Sequence, residues 1–117
     1  MIVIHIMQST KLQSEIERIT NSIGRLKEDI FKIGEMRPGS LTQQMRKAKE
    51  QYGSYWQLSY TFLGKGKTEY IREQFVTQVK VEAANFKRYR KLSDQLVKLS
   101  IHLSRLKMEL AKTDENG

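Results

Sequence analysis

The sequence predicts an α+β fold, mostly α, in which two antiparallel heptad helices flank a small three-stranded antiparallel β-meander. Near both ends of the 117-residue chain, apolar residues recur at alternating steps of four and three, as they do in helices that pack along one seam. In the middle, apolar and polar residues alternate, which is the period of a strand with one buried face. A chain of this length is expected to form a single domain, residues 1–117.

The N-terminal helix is predicted from one unbroken heptad seam. Its apolar residues follow at steps of 4, 3, 4, 3, 4 and 3, namely Leu12, Ile16, Ile19, Ile23, Leu26, Ile30 and Ile33. Ser9 or Thr10 can cap the start of this helix, Thr10 with Gln13 has the capping-box spacing, and Gly34 can end the helix. We therefore expect a helix over residues 8–34. The apolar run before it, residues 1–7, fits an added strand, a helix extension or a non-native start.

Residues 40–71 are predicted to form the β-meander. Three strands are expected, Leu41–Arg46, Tyr55–Phe62 and Thr68–Ile71, and they are joined by turns at Gln51–Ser54 and Gly64–Lys67. One face of the central strand is apolar and carries Trp56, Leu58, Tyr60 and Phe62. Because a few bare strands are marginal in water, a helix is expected to cover that face.

A long C-terminal helix is predicted over residues 73–112, since neither proline nor glycine interrupts it. Its first apolar stripe, expected on the sheet, is Phe75, Val79, Phe86 and Tyr89. A second heptad seam follows, made of Leu92, Leu96, Leu99, Leu103, Leu106 and Leu110. The offset between stripe and seam predicts a kink near residue 93. The two seams predict an antiparallel helical stalk with the sheet at its tip. A homodimer through the heptad helices is expected, and the sequence leaves open whether these helices pair within one chain or between chains.

The net charge of +8 is concentrated in the middle of the chain. Residues 37–91 carry twelve Lys/Arg against four Asp/Glu, whereas the segments on either side are each neutral. A local cationic field of this kind favours a polyanionic partner, and nucleic acid above others.

The candidate nucleic-acid-binding residues come from the meander and from the basic run that follows it. They are Arg46, Lys47, Lys49, Gln57, Ser59, Thr61, Lys65, Lys67, Lys87, Arg88 and Lys91. The short polar strand residues can reach base edges, and the lysines of the turns can hold phosphates. The competing interpretation of the sheet is that it is simply solvated, with edge lysines that prevent aggregation. The competing interpretation of the basic run is an ordinary solvent-exposed helix face. Tyr52 and Tyr55 are further candidates for stacking single-stranded bases, whereas core packing is favoured for the other aromatics of the central strand.

Several classes of function are not expected. The chain has no cysteine and only two histidines, His5 and His102, which lie far apart, so we expect neither a metal site nor a cofactor. No nucleophile–base pair, carboxylate cluster or phosphate loop is visible, and we do not expect an enzyme. The longest apolar run, Met1–Met7, is too short to cross a bilayer and lacks signal-peptide features, so a soluble, cytoplasmic protein without membrane contact is expected.

Three short motifs resemble those of a known family. Arg37-Pro38-Gly39-Ser40-Leu41, Gly53-Ser54-Tyr55-Trp56-Gln57-Leu58 and Gly64-Lys65-Gly66-Lys67, with the basic helix after them, are similar to an uncharacterised family of small prokaryotic proteins often encoded near mobile elements. That family usually carries a cysteine knuckle where this chain has Arg46–Gln51, so its zinc site is absent here. The resemblance implies a mobile-element or phage setting and, by association, a nucleic-acid role.

The leading hypothesis is therefore a nucleic-acid-binding accessory or regulatory protein of a mobile element or phage, with DNA favoured over RNA. The alternative is an element-encoded inhibitor or assembly factor whose basic patch docks on an acidic or nucleic-acid-binding surface of another protein. A purely structural coiled-coil component is the third possibility.

Overall fold

The computed structural model describes residues 2–45 and 54–116 and confirms the predicted α+β, mostly α, architecture. The elements are α1 (Ile2–Phe31), β1 (Ser40–Met45), β2 (Ser54–Phe62), β3 (Lys65–Ile71), a 3-10 turn (Glu73–Phe75) and α2 (Val76–Asn116). The chain divides into two compact units. The helical unit comprises Met1–Lys32 and Lys91–Gly117, and the sheet-bearing unit comprises Ile33–Arg90. Each unit has a hydrophobic core of its own.

In the helical unit, the two predicted heptad seams pack against each other within one chain. The core consists of Ile19, Ile23 and Leu106, and Ile19 is only 1% exposed. Two contacts show that the helices run in opposite directions. Oε1 of Glu15 lies 3.7 Å from Nε2 of His102, and Gln8 and Lys11, which come earlier on α1, line one pocket with Glu109, which comes later on α2. An antiparallel pair of this kind buries one stripe of each helix and leaves the rest of both surfaces in water.

Helix α1 begins at Ile2 rather than near residue 8, so the run before the seam is a helix extension. The Ser9-Thr10 pair lies inside the helix, and the predicted cap at either residue is wrong. A serine or threonine caps only where the chain enters the helix from a non-helical conformation, and no glycine or proline breaks the chain before the pair. The helix ends at Phe31, three residues before the predicted end, and the Lys32 amide donates to the Glu28 carbonyl at 3.1 Å.

Helix α2 continues without a break through Ser93 and Asp94, where the offset between stripe and seam predicted a kink. Its outer surface in the helical unit keeps an exposed apolar stripe, Val97, Ile101 and Met108, at helical spacing. A homodimer through the heptad helices stays a prediction. This stripe is the surface such a dimer would use, and sedimentation equilibrium of the full chain is the measurement that tests it.

The sheet is the predicted antiparallel meander, with β2 at its centre. Leu41 of β1 pairs with Leu58 of β2, and Trp56 of β2 pairs with Ile71 of β3. These residues therefore share one face, and α2 covers it. Leu58 is 0% exposed and packs with Ile71, Val76 and Val79. The core of the sheet-bearing unit is thus small and centred on one leucine.

The apolar residues of α2 that pack on the sheet match the predicted stripe only in part. Val76 and Val79 are buried in the core, whereas Phe75 is 44% exposed at the start of the predicted stripe and Tyr89 is 36% exposed at its end. Phe75 belongs to the 3-10 turn before α2, so it does not follow the helical spacing of the residues after it. Phe62 was also expected in the core but is 57% exposed, because it stands at the hairpin end of β2.

The turn between β2 and β3 lies one residue earlier than predicted. Leu63 and Gly64 form it, with φ values of 53° and 78°. Positive φ at both central residues is the conformation of a type I′ turn, whose twist matches that of the paired strands. Lys65 and Lys67 consequently belong to β3, and their assignment to a basic turn is wrong. A two-residue turn fixes the register in which Phe62 faces Lys65.

Candidate nucleic-acid interface

One face of the sheet has no helix packed on it among residues 2–45 and 54–116, and we call it the open face. Strand register and alternation place on it Ser40, Thr42, Gln44, Tyr55, Gln57, Ser59, Thr61, Gly66, Thr68 and Tyr70. All of these residues are uncharged, so a polyanion that approaches this face meets no acidic side chain among them. The sequence predicted the exposed polar side of β2 correctly, since Ser59 and Thr61 are both exposed there and Gln57 is half-buried.

The predicted cations of β3, Lys65 and Lys67, do not lie on the open face. Lys65 pairs with Phe62 and Lys67 pairs with Tyr60, so both lysines project on the side that α2 covers. The prediction that they stand in a turn adjoining the polar residues of β2 is therefore wrong, because the turn ends at Gly64 and both lysines belong to β3. Arg46, Lys47 and Lys49, together with Tyr52, lie outside the described residues.

An open groove joins the edge of β2 to helix α2. β1 begins at Ser40, opposite Ser59, so the last three residues of β2 extend beyond it and leave that edge uncovered. A groove of about 410 Å³ lies here, lined by Pro38, Gly39, Ser40, Ser59, Tyr60, Thr61, Phe86, Lys87 and Arg90. We call this site the basic groove, since its two charged lining residues are both cations.

Lys87 and Arg90 give the basic groove its charge. They lie three residues apart on α2, which places them on neighbouring turns of one helix face. Both are exposed, and neither forms an ion pair with any acid in the described part of the chain. Two unneutralised cations beside the hydroxyl groups of Ser59 and Thr61 form a surface that can hold a phosphate.

The predicted basic run on α2 is only partly gathered in this groove. Lys87 lines it, whereas Arg88 is exposed elsewhere on the helix and Lys91 belongs to the helical unit. Arg90 was not among the predicted site residues. Its position three residues after Lys87 and four after Phe86 is the signal that places it on this face.

A second cluster holds the segment before β1 against the sheet. The guanidinium of Arg37 donates two hydrogen bonds to the Glu69 carboxylate, at 3.2 and 3.0 Å. The Tyr60 hydroxyl donates to the same carboxylate at 2.9 Å, and the guanidinium carbon lies 5.2 Å from the centre of the Tyr60 ring. The Arg37 amide also donates to the Glu82 carbonyl on α2, at 3.2 Å. These contacts neutralise Glu69, so the net positive charge of the unit is carried by other residues.

The hydrogen bonds to Glu69 shift the titration of all three partners. Donation from Arg37, and then from Tyr60, lowers the pKa of the Glu69 carboxyl below its ordinary value. The same bonds raise the pKa of Arg37 and the pKa of the Tyr60 hydroxyl, because both groups lose a favourable contact when they give up a proton. Glu69 is therefore ionised in the folded chain at pH values where an unfolded chain begins to protonate it.

We predict that Glu69 makes stability depend on pH on the acid side. The pKa of Glu69 is lower in the folded chain, so the unfolded chain binds more protons as pH falls. The stabilisation is therefore present above the pKa of an unfolded glutamate, about 4.3, and is lost as pH falls through the lower pKa of the folded chain. Glu69→Gln is expected to cost less than about 1 kcal/mol at pH 7, since the Glu69 side chain is 43% exposed. Chemical denaturation between pH 2 and pH 7 measures the difference from the unmodified chain, which should vanish at the acid end. Glu17→Gln, on the exposed surface of α1, is the matched control, and equal acid dependence of both variants would contradict the prediction.

Trp56 lies between an acid and a base near the start of β2. Its indole N–H donates to Glu73 at 2.7 Å, and the Lys80 ammonium lies 4.9 Å from the centre of the ring. An ammonium over an indole face is a favourable cation–π contact. Glu69 and Glu73 are thus both engaged by side chains of the covered side of the sheet, away from the open face.

Within residues 2–45 and 54–116, no group of three or more His, Cys, Asp or Glu side chains is placed to hold a metal ion. Among the helices described, none combines the length and hydrophobicity needed to span a membrane. The sequence matches no protein-family model, and comparisons with curated proteins and with solved structures find no match. The resemblance to the mobile-element family stays a prediction.

Proposed function

We propose that this protein binds nucleic acid through its sheet-bearing unit, as an accessory or regulatory protein of a mobile element or phage. The observation that supports this function is the basic groove, where Lys87 and Arg90 stand beside serine and threonine residues of β1 and β2 and are paired with no acid of residues 2–45 and 54–116. The setting in a mobile element or phage comes only from the motif resemblance.

The distribution of charge between the two units agrees with this proposal. The sheet-bearing unit contains eleven Lys/Arg and five Asp/Glu, a net charge of +6, whereas the helical unit contains ten and eight, a net +2. A polyanion is therefore drawn to the unit that carries the groove rather than to the helices.

The groove offers two kinds of phosphate contact. The Arg90 guanidinium can donate two parallel hydrogen bonds to phosphate oxygens, while the Lys87 ammonium acts as a point charge. The hydroxyl groups of Ser40, Ser59 and Thr61 can donate to the same backbone. These contacts position a strand without reading its sequence, so binding through the groove alone is expected to tolerate many sequences.

Charge reversal of the groove tests the proposal. The double variant Lys87→Glu/Arg90→Glu is expected to weaken oligonucleotide binding on the order of 100-fold at low salt, since each charge-assisted hydrogen bond contributes about 1.5–3 kcal/mol. The slope of log K against log salt should become shallower by about 1.4–1.8, because two phosphate contacts are lost. Fluorescence anisotropy with labelled duplex and single-stranded oligonucleotides at several salt concentrations measures both quantities.

Lys98→Glu/Lys107→Glu is the matched control, since it changes the net charge equally on the exposed surface of the helical unit. An equal loss in the control, or an affinity that does not respond to salt, would contradict the proposal. If no oligonucleotide binds while a protein partner is retained after nuclease treatment, the protein-binding inhibitor or assembly factor is the better description.

A further inference from the structure

Two tyrosines stand side by side on the open face of the sheet. The ring centres of Tyr55 and Tyr70 are 5.9 Å apart and their planes are inclined by 30°. Tyr70 pairs with Gln57 across the strands, which sets it diagonally beside Tyr55 on the same face. It is 58% exposed although it is paired within β3, one residue before that strand ends, so its aromatic ring is held in contact with water.

We propose that the open face is a base-stacking platform and that the nucleic acid bound by the protein is single-stranded. This inference rests on the proposed function and names its substrate class. Unpaired bases present flat π-faces that stack on tyrosine rings, whereas the bases of a duplex are already stacked inside it and meet a flat sheet with their phosphates outward. The side chains around the pair, Gln57 and Thr68, are uncharged and can donate to and accept from base edges.

The platform continues into the basic groove. Thr61, which lines the groove, lies six residues after Tyr55 on β2, roughly 20 Å along the same face at 3.3 Å per residue. An extended strand of nucleic acid can therefore place a base on the exposed ring of Tyr70 and its phosphates at Lys87 and Arg90. Stacking platforms beside a cationic track are the usual means by which proteins hold single strands without strong sequence preference.

A tyrosine pair can also act only to stabilise the sheet, because aromatic cross-strand pairs favour strand pairing. The variants must therefore distinguish loss of base stacking on the ring from loss of sheet stability. Tyr70→Phe keeps the ring, whereas Tyr70→Thr removes the ring and keeps a residue of high strand propensity at this position. Phe62→Thr is the matched control, since Phe62 is 57% exposed and stands on the opposite face of the same sheet.

The experiment measures binding of a labelled single-stranded 12-nucleotide probe and its duplex by fluorescence anisotropy at two salt concentrations. The unmodified chain is expected to prefer the single strand. Tyr70→Thr should weaken that binding roughly 5- to 100-fold, the range that base–aromatic stacking contributes, with the same salt slope as the unmodified chain. Tyr70→Phe and Phe62→Thr should stay within about threefold. In the unmodified chain, the ring-proton NMR signals of Tyr70 should shift upfield as the single strand is added, which gives a readout independent of the variants.

Equal affinity for duplex and single strand, with Tyr70→Thr unchanged and the Tyr70 ring signals unmoved, would overturn the stacking platform and leave nucleic-acid binding through the groove standing. Failure of both probes to bind at low salt would overturn the proposed function itself. An equal loss in Tyr70→Thr and Phe62→Thr would also overturn the platform, because it would show that the open face has no special part in binding.

Discussion

Leu58→Ala is expected to lower the free energy of unfolding of the sheet-bearing unit by about 2–5 kcal/mol. Leu58 is 0% exposed and lies at the centre of the cluster formed with Ile71, Val76 and Val79. Removing three carbon atoms costs their transfer from water and leaves a cavity that a three-stranded sheet under one helix has few other side chains to fill. Native-state amide hydrogen exchange of β2 and β3 measures the loss strand by strand.

Leu63→Ala is the matched control for this prediction. It makes the same change at a leucine that is 83% exposed in the turn between β2 and β3, and it should alter stability by no more than about 0.5 kcal/mol. Similar losses in the two variants would show that burial of Leu58 is not what stabilises the unit.

Gly39→Ala is expected to destabilise the same unit by at least about 1–3 kcal/mol, for two separable reasons. A Cβ at this position would lie 2.5 Å from Cδ1 of Leu58, which real side chains essentially never allow. The φ of Gly39 is +147°, a backbone conformation that residues with a side chain rarely adopt. Thermal or urea denaturation followed by circular dichroism measures the total cost.

A double-mutant cycle separates the steric part from the backbone part. In the Leu58→Ala background the contact with Cδ1 no longer exists, so Gly39→Ala should cost less there than in the unmodified chain. Gly66→Ala is the control, because a Cβ at Gly66 would meet no atom within 4 Å. If Gly39→Ala costs the same in both backgrounds, close packing on Leu58 is not the reason for the glycine.

The heptad seams and the central strand could be predicted because each depends on a local period. Ile19 and Leu106 follow the four–three spacing and are buried, and the alternation of β2 places Leu58 inward and Ser59 outward. The position of the β2–β3 turn could not be predicted in the same way. Leucine is disfavoured at positive φ, so residue preferences point to the glycine–lysine segment rather than to Leu63. Because the turn ends at Gly64, Lys65 and Lys67 lie in β3, and alternation places both on the face that α2 covers.

The region of the candidate site could be predicted from the sequence, but the set of residues that come together in it could not. The excess of cations in the middle of the chain pointed to the sheet-bearing unit. The residues that share the groove are far apart in the sequence. Only the packing of α2 against β2 brings Arg90 beside Ser59 and Thr61. Arg37 and Glu69 are likewise joined across 32 residues, so no local pattern indicates which acid the arginine neutralises. Tyr70 is not among the predicted stacking residues, because only the register of β2 and β3 sets it beside Tyr55.

Trp56 is the one tryptophan in the sequence, and its place beside Glu73 and Lys80 gives the protein a built-in optical reporter. Indole emission responds to nearby charges, so the fluorescence of this residue registers any change in the packing of the sheet on α2. The helical unit contains no tryptophan and dominates the far-ultraviolet circular dichroism, so the two signals report different units. Melting curves recorded by both methods will show whether the two units unfold in one transition or in two.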